Sequence, residues 1–220
     1  MQSKNDIVKL FHIRRRTLLG AFGAMVVLPA TRAFASVDPI GEVVETKGDV
    51  LKRQREIETR IASGAPLIND DLVATGEQSF ASLTLGTDTR ITMGPRTEVL
   101  LDRFLAEQGG TIELVSGDMV FDRPEGLPKI DLTIRTTFGQ IGVRGTKFFA
   151  GRNRGAFAVF VEHGLVEVRS GTAIREVGAG EGVDIATDAK TRSLFGSEFS
   201  RKTRWGDGRI SEVYKSVGLQ

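Results

Sequence analysis

Short apolar–polar alternations, each closed by a glycine-bearing turn, run through the chain from Ser36 onward and call for strands rather than helices. Phe80–Leu85 reads FASLTL, with Ala81, Leu83 and Leu85 on one face and Ser82 and Thr84 on the other. Gly86-Thr87-Asp88-Thr89 then supplies a turn, and alternation resumes at Ile91 and Met93. Ile130, Leu132 and Ile134 alternate with Asp131 and Thr133. Residues 156–161 and 165–168 flank Glu162-His163-Gly164 like a second hairpin, and Val183 and Ile185 close the series.

Turn signals recur at Gly48, Gly64, Gly76, Gly94-Pro95, Gly109-Gly110, Gly117, Gly126, Gly171 and across 178–182. Many short strands at this spacing predict an all-β domain: an antiparallel roll, a sandwich or a solenoid-like array. No fixed-period repeat demands a regular solenoid. Only the tail reads helical. From Trp205, the residues Ile210, Val213, Tyr214 and Val217 fall at helical spacing, while Arg209, Glu212 and Lys215 can face water. The expected organisation is a leader at 1–35, a β domain at 36–187, and a polar linker with a short amphipathic helix at 188–220.

The leader carries most of the basic character. Lys4, Lys9, Arg14, Arg15, Arg16 and Arg32 stand against Asp6 alone, a net of +5, whereas the whole chain is +2 and the remainder therefore −3. A mildly acidic body argues against a broad polyanion-binding surface, so no nucleic-acid partner is expected. Arg15-Arg16-Thr17-Leu18-Leu19 has the twin-arginine export pattern. The apolar run 18–28 follows, then Pro29, then a small-residue cleavage pattern at Ala33 and Ala35. That run falls short of the ~20 apolar residues a membrane span needs. A general secretory leader or an uncleaved anchor are the alternatives. The expected location is the periplasm, with no retained span after cleavage, and the chain has no cysteine to form a disulfide there.

Residues 138–151, FGQIGVRGTKFFAG, place Gly139, Gly142 and Gly145 at every third position with Arg144 between the last two. A Walker loop needs glycine, lysine, then serine or threonine, entering a helix. Here the order is Gly145-Thr146-Lys147, and Phe148-Phe149-Ala150 continues as strand. The dinucleotide fingerprint needs G-x-G-x-x-G with a helix after it, and this stretch has neither. The glycines are expected to solve a backbone problem at a sheet corner, by positive φ or close approach. Gly139, Gly142, Arg144, Gly145 and Thr146 form one structural motif in this reading, with Arg144 donating to carbonyls at the corner.

The stretch 134–148, IRTTFGQIGVRGTKF, resembles the signature of the FecR domain family, in which a strand leads into I-G-[VI]-R-G-T. Upstream, residues 70–104 (DDLVATGEQSFASLTLGTDTRITMGPRTEVLLDRF) are similar to the same family. Downstream, VEHGLVEVRS and VGAGEGVDI resemble its closing strands. The likeness runs from about Val43 to Ile185 in consistent order. The family takes its name from a regulator of ferric citrate uptake that passes a signal from an outer-membrane transporter to a sigma factor. Such regulators carry a cytoplasmic anti-sigma segment, a retained membrane helix and a C-terminal docking domain. None of the three is expected here, so the resemblance implies a stand-alone exported β module. It carries over no catalytic residue.

Chemistry-bearing residues are few. After the leader His163 is the lone histidine, which makes a zinc site or a Ser-His-Asp triad hard to build. It is expected as a solvated turn residue. Asp70-Asp71, Asp88 and Asp118 read as turn and strand-start residues, and Asp207-Gly208 lacks a calcium ligand series. Arg201-Lys202-Thr203-Arg204 reads as solvated, and Trp205 as an anchor for the tail helix. No cofactor and no metal is expected. Three readings stay open: a non-enzymatic module for an envelope protein or cell-wall ligand; a regulator in a ferric-citrate-like relay with a separate membrane partner; and an enzyme with an unrecognised polar cleft.

Overall fold

The alternating runs become eighteen strands and two helices in a computed structural model that describes residues 38–219. In chain order the strands are β1 (Gly41–Lys47), β2 (Val50–Gln54), β3 (Ile57–Arg60), β4 (Pro66–Leu67), β5 (Asp71–Thr75) and β6 (Phe80–Leu85). Next come β7 (Thr89–Met93), β8 (Glu98–Leu105), β9 (Gly109–Ser116), β10 (Met119–Asp122), β11 (Asp131–Thr136) and β12 (Gly139–Val143). The last six are β13 (Lys147–Asn153), β14 (Ala156–His163), β15 (Leu165–Ser170), β16 (Ala173–Gly178), β17 (Glu181–Ile185) and β18 (Thr203–Arg204). Helix α1 (Ala189–Phe195) precedes β18 and α2 (Asp207–Ser216) follows it.

Two nine-stranded sheets result. Sheet 1 has the order β18-β17-β14-β13-β10-β7-β6-β1-β4, and sheet 2 the order β16-β15-β12-β11-β9-β8-β5-β2-β3. The pairings between named strands are antiparallel except that of β9 with β11, which runs parallel. The chain lays one or two strands in one sheet, turns a corner and continues in the other. Frequent crossing is why the strands are short and the corners carry glycine. The core lies between the sheets, where Leu83, Ile91, Phe121, Phe148 and Val159 of sheet 1 meet Val73, Val99, Ile112, Leu132 and Val168 of sheet 2. All are buried, each contributing ~1.5–3 kcal/mol.

The outer face of sheet 1 holds a second apolar cluster. Val120 of β10, Phe149 of β13, and Ala158 and Phe160 of β14 pack against Trp205, Val213, Tyr214 and Val217. Those three strands are buried on both faces, which explains their continuous apolar runs MVF, FFA and AFAVFV in place of alternation. Helix α2 thus lies on sheet 1. No helix among the described residues is long and apolar enough to cross a membrane.

Two local expectations change. The segments around Glu162-His163-Gly164 are not a hairpin: β14 pairs with β13 and β17, whereas β15 pairs with β12 and β16. Gly164, at φ +83°, turns a crossing between sheets, and a positive-φ glycine serves a corner as well as a hairpin. The true hairpin is β13–β14, closed by Arg154 and Gly155, both at positive φ as a type I′ turn requires. Second, the polar stretch 188–203 contains α1 and β18. Asp188 caps α1 by accepting the Thr191 N–H at 2.7 Å, and Gly196 ends it at φ 69°. No α1 side chain is buried, so no apolar stripe announced it.

Candidate functional site

The glycine-rich motif spans the crossing from β12 in sheet 2 to β13 in sheet 1. Gly139 pairs with Thr136, and a Cβ there would overlap the Arg169 carbonyl oxygen. Gly145 sits in the turn at φ +66°, the left-handed region. Thr146 is fully buried; its carbonyl accepts the Arg123 N–H at 3.1 Å, and its methyl would meet any side chain placed at Gly164. Gly142 differs from the others. It lies mid-strand between Thr133 and Glu167, and the atoms nearest to an added Cβ are 3.8 Å away or more. Arg144 is exposed and forms no hydrogen bond or ion pair among the described residues, so the expected carbonyl contacts are not made. The guanidinium is exposed rather than turned into the crossing. Arg15, Arg16, Ala33 and Ala35 lie outside the described residues.

The threonine–glycine positions upstream pin a second corner. The Thr75 hydroxyl donates to the Gly94 carbonyl at 2.6 Å and accepts the Thr97 N–H at 2.9 Å. The Thr97 hydroxyl accepts the Asp118 N–H at 3.0 Å. The Asp118 carboxylate accepts the Arg152 N–H at 2.7 Å; burial pushes this carboxyl up, against that hydrogen bond and one from Ser216. Asp71 starts β5 with its carboxylate fully buried, accepting the Ile68 N–H at 2.9 Å, with Lys52 at 3.3 Å.

Polar staples fix α2 to sheet 1. Trp205 stacks on Phe160 with centroids 5.0 Å apart, and the Arg209 guanidinium lies 3.6 Å over the Trp205 ring. Arg209 also donates to Asp184 at 2.5 Å and to Asn153 at 2.9 Å, while Arg154 donates to Glu212 at 2.8 Å. Arg209 and Glu212, expected to face water, therefore grip the sheet. The Tyr214 hydroxyl donates to Glu162, beside Lys147 at 3.1 Å. Partial burial pushes the Glu162 carboxyl up, but the hydrogen bonds from Tyr214 and Lys147 outweigh it and hold the group low. Burial, with Glu162 adding to it, raises the Tyr214 phenol, which stays a donor.

His163 is half-buried rather than solvated. Its Nδ1 lies 3.5 Å from Glu125 and its Nε2 lies 3.9 Å from Asp122. The two acids face different ring nitrogens, so the three groups do not converge on one point. Among the described residues no group of three or more His, Asp or Glu side chains could hold a metal ion.

Sheet 2 presents the contrasting surface. No element among the described residues covers its outer face, where register rows run Glu113–Arg135–Gln140–Arg169–Ile174 and Thr111–Thr133–Gly142–Glu167–Glu176. Side chains in both rows are half-buried or exposed. Gly142 leaves the floor of a shallow furrow of about 340 Å³, walled by Thr133, Arg144, Glu167 and Glu176. The signals that mark this surface, polar residues at alternate positions, are visible in sequence. The pairing that assembles them into one face is not.

A two-sheet, all-β module with one helix-covered face and one open face is the class of protein this fold defines. The family described as "FecR protein" matches residues 71–167, and the chain carries a FecR domain there. The match runs from β5 into β15, narrower than the span suggested by the sequence motifs. Among solved structures, two crystal structures of a candidate anti-sigma factor from Parabacteroides distasonis ATCC 8503 are similar, at 1.65 and 2.50 Å resolution. Each aligns with a TM-score of 0.51 at 16% identity, over 64% of this chain and 62% of that one. The likeness is one of fold, and the chain spans less than two thirds of the neighbour's length. No curated protein matches.

Proposed function

We propose that this chain is a non-enzymatic FecR-type binding module, exported to the periplasm by the twin-arginine route, that acts in signalling by receiving a protein partner on sheet 2. The observation that carries this reading is the asymmetry of the two outer faces. Helix α2 occupies sheet 1 through an apolar cluster and specific ion pairs, whereas sheet 2 presents ordered rows of charged and polar side chains. The FecR match supports a regulatory rather than a catalytic role. Arg15-Arg16 and the Ala33–Ala35 pattern support export.

The test is site-specific photocrosslinking in cells, with the reactive group at Thr111 or Thr133 on sheet 2 and at Lys215 on α2. Crosslinks to an envelope protein from the sheet 2 positions alone support the reading. Crosslinks from Lys215 alone, or from none of the three, overturn it. The family match also favours a compatible second reading, a regulator in a ferric-citrate-like relay working with a separately encoded membrane partner. Its test is whether the crosslinked protein is a membrane-anchored anti-sigma factor or a transporter.

A further inference from the structure

Strand β16 ends sheet 2. It pairs with β15 on one side, and no strand among the described residues pairs with the other. The β15–β16 hairpin turns through Gly171-Thr172, with Gly171 at φ 55° and Ser170 opposite Ala173. A two-residue turn of this kind makes its flanking residues a hydrogen-bonded pair, and such pairs alternate along an antiparallel ladder. Ala173, Arg175 and Val177 therefore use their backbone groups on β15. Ile174 and Glu176 turn theirs to the open edge.

Their side chains face the outer surface of sheet 2. Ile174 is 50% exposed, and Glu176 is exposed with no cation paired to it among the described residues. Glu176 stands opposite Glu167 in the register, and Glu167 already accepts from Arg169 at 2.6 Å. Arg169 is taken by Glu167, and Arg144 lines the same furrow without pairing to either carboxylate, so Glu176 stands as an unpaired acid beside an apolar side chain, along an unsatisfied row of amides. Arg175 points the other way, with its guanidinium 5.9 Å over the Phe199 ring.

We propose that the β16 edge adds an extended strand of a partner protein, with a basic side chain beside Glu176 and an apolar one beside Ile174. This names the kind of partner in the reading above and rests on it. Antiparallel addition puts the basic residue two places before the apolar one, an Arg-x-Ile pattern. A second copy of the chain fits worse. The same-face registers that engage most of the strand set Arg175 against Arg175 or Glu176 against Glu176, and those centred nearer either end engage half of it or less.

The test titrates the intact mature chain with a short peptide centred on Arg-Thr-Ile, followed by NMR. Glu176→Pro removes an edge N–H that β15 does not use, so the hairpin ladder survives. The expected result is saturable binding to wild type, an affinity loss of about tenfold or more in E176P at an unchanged melting temperature, and a switch of preference to Glu-Thr-Ile in Glu176→Lys. A second arm leaves the protein untouched: N-methylation of the peptide at its Arg and Ile amides abolishes binding. No saturable binding, or equal binding of methylated and plain peptides, overturns the proposal. A dimer by sedimentation that the peptide does not dissociate overturns it in favour of self-pairing. Failure here with the sheet 2 crosslinks intact refutes the edge alone; loss of those crosslinks refutes the wider reading.

Discussion

Thr146 and Gly164 meet where two crossings between the sheets run side by side. A Cβ at position 164 would lie 2.5 Å from Thr146 Cγ2 and 2.6 Å from the Gly145 carbonyl oxygen. Glycine is demanded there twice, by space and by φ +83°. Gly164→Ala is expected to cost about 2 kcal/mol. Gly145→Ala, in open space but at φ +66°, is expected to cost about 1 kcal/mol. Gly142→Ala should stay within about 0.5 kcal/mol of wild type, because its Cβ has room on the sheet surface. Urea denaturation ranks the three, and a Gly142 variant as damaged as the Gly164 one contradicts the corner account.

The hold of α2 on sheet 1 depends on Trp205, which fills the space between Phe160 and Arg209. Trp205→Ala should destabilise by about 3 kcal/mol and expose Phe149 and Phe160 to a hydrophobic dye. A variant with native stability and no dye binding would show that α2 does not need this anchor.

Acid should loosen the same contact. Glu162 is held below the ordinary carboxyl range in the folded chain, so its contribution is present above its unfolded value of about 4.3 and is lost as pH falls through the folded one. Tyr214→Phe removes the hydroxyl that donates to it. The expected loss is about 1 kcal/mol at pH 7, discounted for partial exposure, shrinking towards zero under acid. A pH-independent loss across a series of denaturation curves would rule out this coupling.

Asp118 has the opposite sign. Burial raises its carboxyl in the folded state, so its favourable contribution is full below the unfolded value of about 3.9 and is lost as pH rises through the folded one. Asp118→Asn keeps an oxygen to accept the Arg152 N–H and carries no charge. At neutral pH it should match or exceed wild type in thermal stability, with the two converging in acid. A clear loss at pH 7 would mean that the carboxylate itself is needed.

The proposed twin-arginine route depends on Arg15 and Arg16. Replacing both with lysine should leave the precursor unprocessed inside the cell by fractionation and immunoblot, whereas undiminished export would favour the general secretory route.

Strand identity was legible because Leu83, Ile91, Leu132 and Ile134 keep a period of two while one face is buried. Helix α2 was legible from Val213, Tyr214 and Val217. Sheet membership was not, because Gly164 reads alike in a hairpin and in a crossing. The staples Arg209–Asp184 and Arg154–Glu212 join residues far apart in the chain, so no local pattern announces them. The sequence neighbours of Arg144 suggest a corner donor, yet it lies just past the end of β12 and is exposed on the furrow beside Gly142. The β16 edge has no sequence signal, because Ile174-Arg175-Glu176 shows no alternation.

Hydrogen exchange of the mature chain, alone and with solubilised envelope, tests the central claim most directly. The account predicts slowed exchange on sheet 2, strongest at the Ile174 and Glu176 amides, with α2 unchanged. Protection confined to α2, or release of α2 from sheet 1, would contradict it.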